Sequence, residues 1–153
     1  MNPDDNYRWA TGKIKKKIKD NHSLISTLAN SAAILKESFP GYFWVGFYFV
    51  KEDHLSLGPF QGPPACARIG LEKGVCADCA KQKKSIIVPN VHEYPGHVSC
   101  DSRSNSEIVI PVFNHSGDLM AVLDIDSEKH NDFSDTDRKH LEEIAELLKP
   151  VWD

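Results

Sequence analysis

Cys66, Cys76, Cys79 and Cys100 are the four cysteines of a 153-residue chain, and all fall in its middle. Thiolates attack soft electrophiles, exchange with disulfides and bind metals, so these residues are the first candidates for chemistry. Each also has a plainer fate as a small buried hydrophobe. The Cys76-x-x-Cys79 pair reads equally as a redox pair or as half of a zinc site, with Cys66, Cys100, His92 and His97 as further donors. A structural zinc site normally shows two tight pairs, and this sequence has one.

Local context separates the four. Cys100 lies near the end of a long aperiodic stretch and is followed by Asp101 and Ser102, a setting that suits an accessible nucleophile. Cys76 falls near the start of a short helix, where unpaired N–H groups favour the thiolate. Cys66 stands between Ala65 and Ala67, neighbours that say little, and Cys79 beside Ala80 reads as a buried side chain.

Carboxylates form a second group. Asp124 and Asp126 alternate along one strand and so share a face, and Glu107 begins the neighbouring strand of the same hairpin. Strand-end acids are usually solvated, but three together can bind an ammonium group, and their repulsion can raise one pKa enough to make a general acid. Trp44 and Tyr48 share a face of an earlier strand, where they either pack the core or wall the same pocket.

The elements that position these residues are legible as patterns. Leu24, Ile25, Leu28, Ala32, Ile34 and Leu35 recur at helical spacing before Pro40-Gly41, and a short exposed helix is expected around Ile14 and Ile18. From Phe43 the period becomes two: Phe43, Val45, Phe47 and Phe49 point one way, Trp44, Gly46, Tyr48 and Val50 the other. Hairpin partners follow at residues 55–60 and 107–125, a third extended piece at 65–69, a short helix at 75–83 and a strand at 85–88. Residues 91–105 form a long loop with two histidines, a kind of segment that is usually functional. Ser134 and Asp137 resemble a capping box opening a C-terminal helix that runs to residue 151. The expected architecture is α+β: one domain over residues 1–153, with a helical segment 1–40, a sheet core 43–127 of about six mainly antiparallel strands, and the helix 134–151.

Composition narrows the class. With 41% hydrophobic residues the chain can bury an ordinary core without disulfides or metal. A net charge of −4 and a basic run, Lys13 to Lys19, offset by acids elsewhere make nucleic acid a poor partner. No apolar stretch approaches the roughly 18 residues of a membrane span. A soluble, cytoplasmic protein is expected, in a compartment where thiols stay reduced and serve catalysis or metal binding more often than bridging.

Several separated segments, in order, resemble the free methionine-(R)-sulfoxide reductase family. They are Trp44-Val45-Gly46-Phe47-Tyr48, Leu57 to Gly62, Gly74-Val75-Cys76, Val88-Pro89-Asn90-Val91-His92, Pro95-Gly96-His97 up to Cys100-Asp101-Ser102, Ser106 to Val109, and Leu123 to Ser127. The resemblance implies a GAF-like fold and reduction of the free amino acid sulfoxide. It implies Cys100 as nucleophile, Cys66 as the main resolving thiol and Cys76 as a second thiol in the exchange. It also implies Glu107, Asp124 and Asp126 as substrate-site acids, with Trp44 and Tyr48 as an aromatic wall. Attack of a thiolate on sulfoxide sulfur requires protonation of the departing oxygen, and the sulfenic acid left behind condenses with a second thiol. An external dithiol, thioredoxin, would reopen that disulfide, so no metal or organic cofactor is expected. A homodimer is a further expectation. The chain departs from the family at Ala77-Asp78-Cys79-Ala80, where small and hydroxyl residues are usual, and Cys79 reads as a bystander. The alternatives are a non-catalytic GAF module sensing a small molecule, which would normally be fused to an output domain, and a zinc-stabilised interaction protein.

Overall fold

The structure, a computed structural model, describes residues 2–20 and 23–152; residues 1, 21, 22 and 153, which the sequence reading includes in its single domain, lie outside the described residues. Helices α1 (Pro3–Asp20) and α2 (Leu24–Ser38) precede strands β1 (Tyr42–Val50), β2 (His54–Gln61) and β3 (Arg68–Gly70). Helix α3 (Val75–Gln82), β4 (Ile86–Val88) and a single 3-10 turn (Val91–Glu93) lead into the loop before β5 (Ser106–Phe113). Strand β6 (Leu119–Ser127), helix α4 (Asp135–Leu147) and a final 3-10 turn (Lys149–Trp152) complete the chain. The six strands form one antiparallel sheet in the order β3-β2-β1-β6-β5-β4, in line with the expected α+β class.

Period-two alternation divides the sheet residues between two cores. Val45 and Phe47 of β1, Ile108, Ile110 and Val112 of β5, and Ala121, Leu123 and Ile125 of β6 face α1, α2 and α4. Full burial of each such side chain contributes about 1.5–3 kcal/mol. The intervening residues, including Trp44, Tyr48, Val109 and Val122, face the other way, toward α3. Glu107, Asp124 and Asp126 therefore lie opposite the three large helices, under α3 and the connecting loops. Phe43 departs from the expected alternation: the β1–β6 register shifts between Tyr42 and Trp44, and Phe43 packs with the second core rather than with Val45 and Phe47.

Helix α1 differs from the short exposed helix expected around Ile14. It runs 18 residues and buries Tyr7, Ala10 and Ile14. One apolar residue per turn among lysines is a weak pattern, and the anchor here is partly polar. The Tyr7 hydroxyl donates to Asp137 Oδ1 at 2.6 Å and shares a hydrogen bond with the Tyr42 hydroxyl, joining α1, β1 and α4. At the start of α4, Asp137 Oδ2 also accepts from the Ser134 backbone N–H at 2.7 Å, as the capping pattern implies. The α-helix stops at Leu147, short of residue 151; Pro150 cannot continue it, and a 3-10 turn buries Val151 instead.

Candidate active site

Register on the central strand assembles the site. Across β6, Asp126 is paired with Trp44 of β1 on one side and Glu107 of β5 on the other. Two residues along, Asp124 is paired with Gly46 and Val109 in the same way. Trp44, Asp126 and Glu107 thus form a row across three strands, with Gly46 and Asp124 in the row beneath. The Trp44 ring stacks on Phe60 at 5.2 Å between centroids and lies 5.9 Å from Tyr48, while its Nε1 donates to the Pro63 carbonyl at 3.1 Å. A Cβ on Gly46 would collide with the Trp44 ring and with Phe60, so the missing side chain is what seats the indole.

Trp44, Tyr48, Glu107, Asp124 and Asp126 line one cavity with Phe43, Pro64, Val75, Cys76, His97, Val98, Cys100, Asp101 and Ser104. Two cysteines, Cys76 of α3 and Cys100 of the long loop, line it directly. Cys100 on the long loop is joined to Cys66, on the connection between β2 and β3, by a disulfide with its Cα atoms 5.4 Å apart. The Tyr48 hydroxyl donates to the Cys66 carbonyl at 2.9 Å, tying that connection to the aromatic wall. Cys76 and Cys79 are free thiols, both buried on α3. Helix α3 presents Cys76, Cys79 and Ala80 to the sheet, as expected from spacing.

The long loop is fastened at several points. Tyr94 donates to Asp78 Oδ2 of α3 at 2.6 Å, and the Asn105 amide donates to the Ser127 carbonyl at 2.8 Å. Arg103 lies over the Phe43 ring and grips both oxygens of Asp101, holding that carboxyl down at about 2. Ser104 donates its hydroxyl to Asp126 Oδ1 at 3.3 Å.

Burial governs the charge state. Desolvation, reinforced by the facing carboxylates of Asp124 and Asp126, drives the Glu107 carboxyl well above the usual range. Asp126 is raised for the same two reasons. Asp124 is raised by burial, but hydrogen bonds from Glu107, Asp126 and Cys76 pull it back down, leaving it the most acidic of the three. Glu107 and Asp126 are thus the groups that hold protons beside Asp124. Cys76 corrects the expectation drawn from its helix position. Burial, then Asp124 and Glu107, push its thiol well above the ordinary value, because three nearby carboxyls outweigh the end of an eight-residue helix. His97 is held below its ordinary value by burial, and its Nε2 lies 3.9 Å from Glu107 Oε1.

The zinc donor set suggested by Cys76-x-x-Cys79 is not assembled. Cys66 and Cys100 are bonded to each other, and His92 is engaged with Asn105 Oδ1 at 2.9 Å. Among the described residues, the group of donor atoms close enough to share an ion is instead Cys76, Glu107 and Asp124. The sequence reading singled out neither Gly46 nor Ser104, nor the Tyr94–Asp78 tie. A glycine inside an aromatic strand was the available signal for the first, since it marks close approach of another group.

Comparison with known proteins agrees with this fold. The family described as GAF domain matches residues 21–152. A free methionine-R-sulfoxide reductase of Escherichia coli is 40% identical over 129 residues, covering 84% of this chain and 78% of that protein. The solved free methionine-R-sulfoxide reductase of Neisseria meningitidis, in complex with its substrate, superposes with a TM-score of 0.91 at 42% identity, covering 95% of this chain and 87% of that one. A putative GAF sensor protein of Burkholderia vietnamiensis superposes at 0.95 with 35% identity over 100% of both chains. The architecture is that of a GAF domain. Within that class the chain belongs to the free methionine-R-sulfoxide reductase family, and it is an oxidoreductase.

Proposed function

We propose that this protein reduces free methionine-(R)-sulfoxide to methionine, with Cys100 as nucleophile and Glu107 as proton donor. The observation that carries the assignment of roles is the shared cavity: Cys100, bonded to Cys66, lines the same pocket as a buried, proton-holding Glu107. The Cys100 thiolate attacks the sulfoxide sulfur while Glu107 protonates the oxygen. Methionine leaves, and the oxygen remains on Cys100 as a sulfenic acid. The Cys66 thiol then displaces that oxygen as water, giving the disulfide seen here. Two electrons from an external dithiol reopen the bridge, and thioredoxin supplies them.

Recognition of a free amino acid calls for a partner to its ammonium group. Asp124 carries a buried Oδ1 without an assigned hydrogen-bond partner, and Asp126 stands beside it. Trp44 and Tyr48 offer apolar faces to the S-methyl end. Cys76, buried beside Glu107 with its Sγ 3.9 Å from Oε2, is the reserve thiol for the exchange, and Cys79 takes no part. We place this chemistry in the cytoplasm, in a homodimer, with no metal or organic cofactor in the cycle. Among the described residues no helix is long and apolar enough to cross a membrane.

The test is a single-turnover assay on the reduced protein. One methionine per chain should appear from the R epimer and none from the S epimer, with the Cys66–Cys100 disulfide forming in step. A bound but unreduced sulfoxide would instead favour a ligand-sensing GAF module, the reading suggested by the Burkholderia structure.

A further inference from the structure

We propose that the pocket is also a binding site for a thiophilic divalent cation, Zn²⁺ or Cd²⁺, held by Cys76, Glu107 and Asp124. One ligand atom from each of these three buried residues lies within 4.8 Å of the others. Tetrahedral bonds of about 2.0–2.3 Å put neighbouring ligand atoms roughly 3.3–3.7 Å apart, so closing on an ion needs side-chain shifts of about an ångström. The three come from rigid elements, α3, β5 and β6, which limits how far they must move. A water would complete the shell, since His97, with its Nε2 3.9 Å from Glu107 Oε1, falls outside the group of mutually close ligand atoms.

A second observation points to a ligand here. Asp124 is 6% exposed, and its Oδ1 is buried without an assigned hydrogen-bond partner. A buried acceptor is satisfied by a cation or by a proton from a neighbour, and the protons of Glu107, Asp126 and Cys76 are the ones an ion must displace here. A donor set that includes a thiolate sulfur selects borderline and soft ions over Mg²⁺ and Ca²⁺, which prefer all-oxygen shells. A cation so placed would occupy Asp124 and Glu107, the acids assigned above to the substrate and to proton transfer. Metal and sulfoxide therefore exclude one another on that reading, although binding of the ion itself does not depend on it.

The oxidised protein gives a clean test, because its Cys66–Cys100 disulfide removes the two other reactive thiols from competition. Cd²⁺ titrated into it should bind one ion per chain and produce the ultraviolet sulfur-to-cadmium charge-transfer band. Cys76→Ser should abolish the band. Asp124→Asn should weaken binding about tenfold or more, in the range seen when groups supporting a metal site are removed. Cys79→Ser should leave band and affinity unchanged, and excess Mg²⁺ should not displace the ion. Absence of the band overturns the proposal, as does its survival in Cys76→Ser or its loss in Cys79→Ser. Unchanged affinity in Asp124→Asn overturns it too, leaving an adventitious thiol contact. Circular dichroism of each variant separates lost binding from lost fold.

Discussion

Glu107 and Asp126 are cross-strand partners in the β5–β6 ladder, and both contribute carboxyls to a buried cluster with Asp124. Like charges directly opposite one another on a sheet are destabilising, and burial multiplies that cost. The pair is tolerated because the cluster retains protons.

Glu107→Gln removes the proposed proton donor while keeping the shape of the side chain. We expect the rate of methionine formation to fall about 10²–10⁴-fold, the usual contribution of general acid catalysis, with a much smaller change in substrate affinity. In the wild type, activity should decline as pH rises through the elevated Glu107 value. Stopped-flow single turnovers across pH check both statements.

The same substitution should stabilise the fold at higher pH. An unfolded glutamate loses its proton near about 4.3, whereas folded Glu107 holds it well above that. Between those values the native state binds the extra proton, so its stability is full below the unfolded pKa and falls as pH rises through the folded one. Thermal melts should therefore coincide at pH 4, and at pH 8 the Tm of Glu107→Gln should exceed that of the wild type by at least about 2 °C.

Cys100→Ser should abolish methionine formation. Cys66→Ser should still release one methionine per chain yet fail to turn over with thioredoxin. Mass spectrometry of the spent variant should show Cys100 oxidised without the disulfide. Unimpaired turnover in Cys66→Ser would move the resolving role to Cys76.

Gly46→Ala should damage the site and also loosen the β1–β2 pairing, because the new Cβ meets the Cβ of Phe60. The added methyl group displaces the Trp44 ring, which spans the wall of the pocket, so we expect KM to rise about tenfold or more, a displacement worth roughly 1.4 kcal/mol in binding. Urea midpoints set beside KM values distinguish this from general unfolding.

Asp137→Ala should loosen α1. It leaves the buried hydroxyls of Tyr7 and Tyr42 without their shared acceptor and removes the Asp137 arm of the α4 capping box, an expected loss of about 2 kcal/mol or more by denaturant unfolding. Hydrogen exchange should locate the loss in residues 3–20 first.

Much of the sheet was legible beforehand. The hairpin of β5 and β6 alternates cleanly, so the shared face of Asp124 and Asp126, with Glu107 on the next strand, follows from local periodicity alone. Helix α1 was harder to read, because Tyr7, Ala10 and Ile14 supply one apolar contact per turn among lysines and the anchor for Tyr7 lies on α4. The ends of β1 were misread at Phe43, since a register shift leaves no mark in hydropathy.

The sequence by itself determined the chemical inventory: four thiols, three acids disposed on one hairpin face, two aromatics on another strand, and a capped final helix. These depend on residue type and on spacings of two to four residues, which the backbone enforces locally. Tertiary structure decided which members of the inventory meet. It put Cys100 on Cys66 rather than on a zinc ion, set Trp44 beside Asp126 across a ladder between distant segments, and turned Cys76 from an expected thiolate into a protonated thiol. Each of those outcomes rests on strand register and on burial, and both are properties of the assembled sheet and its covering loops.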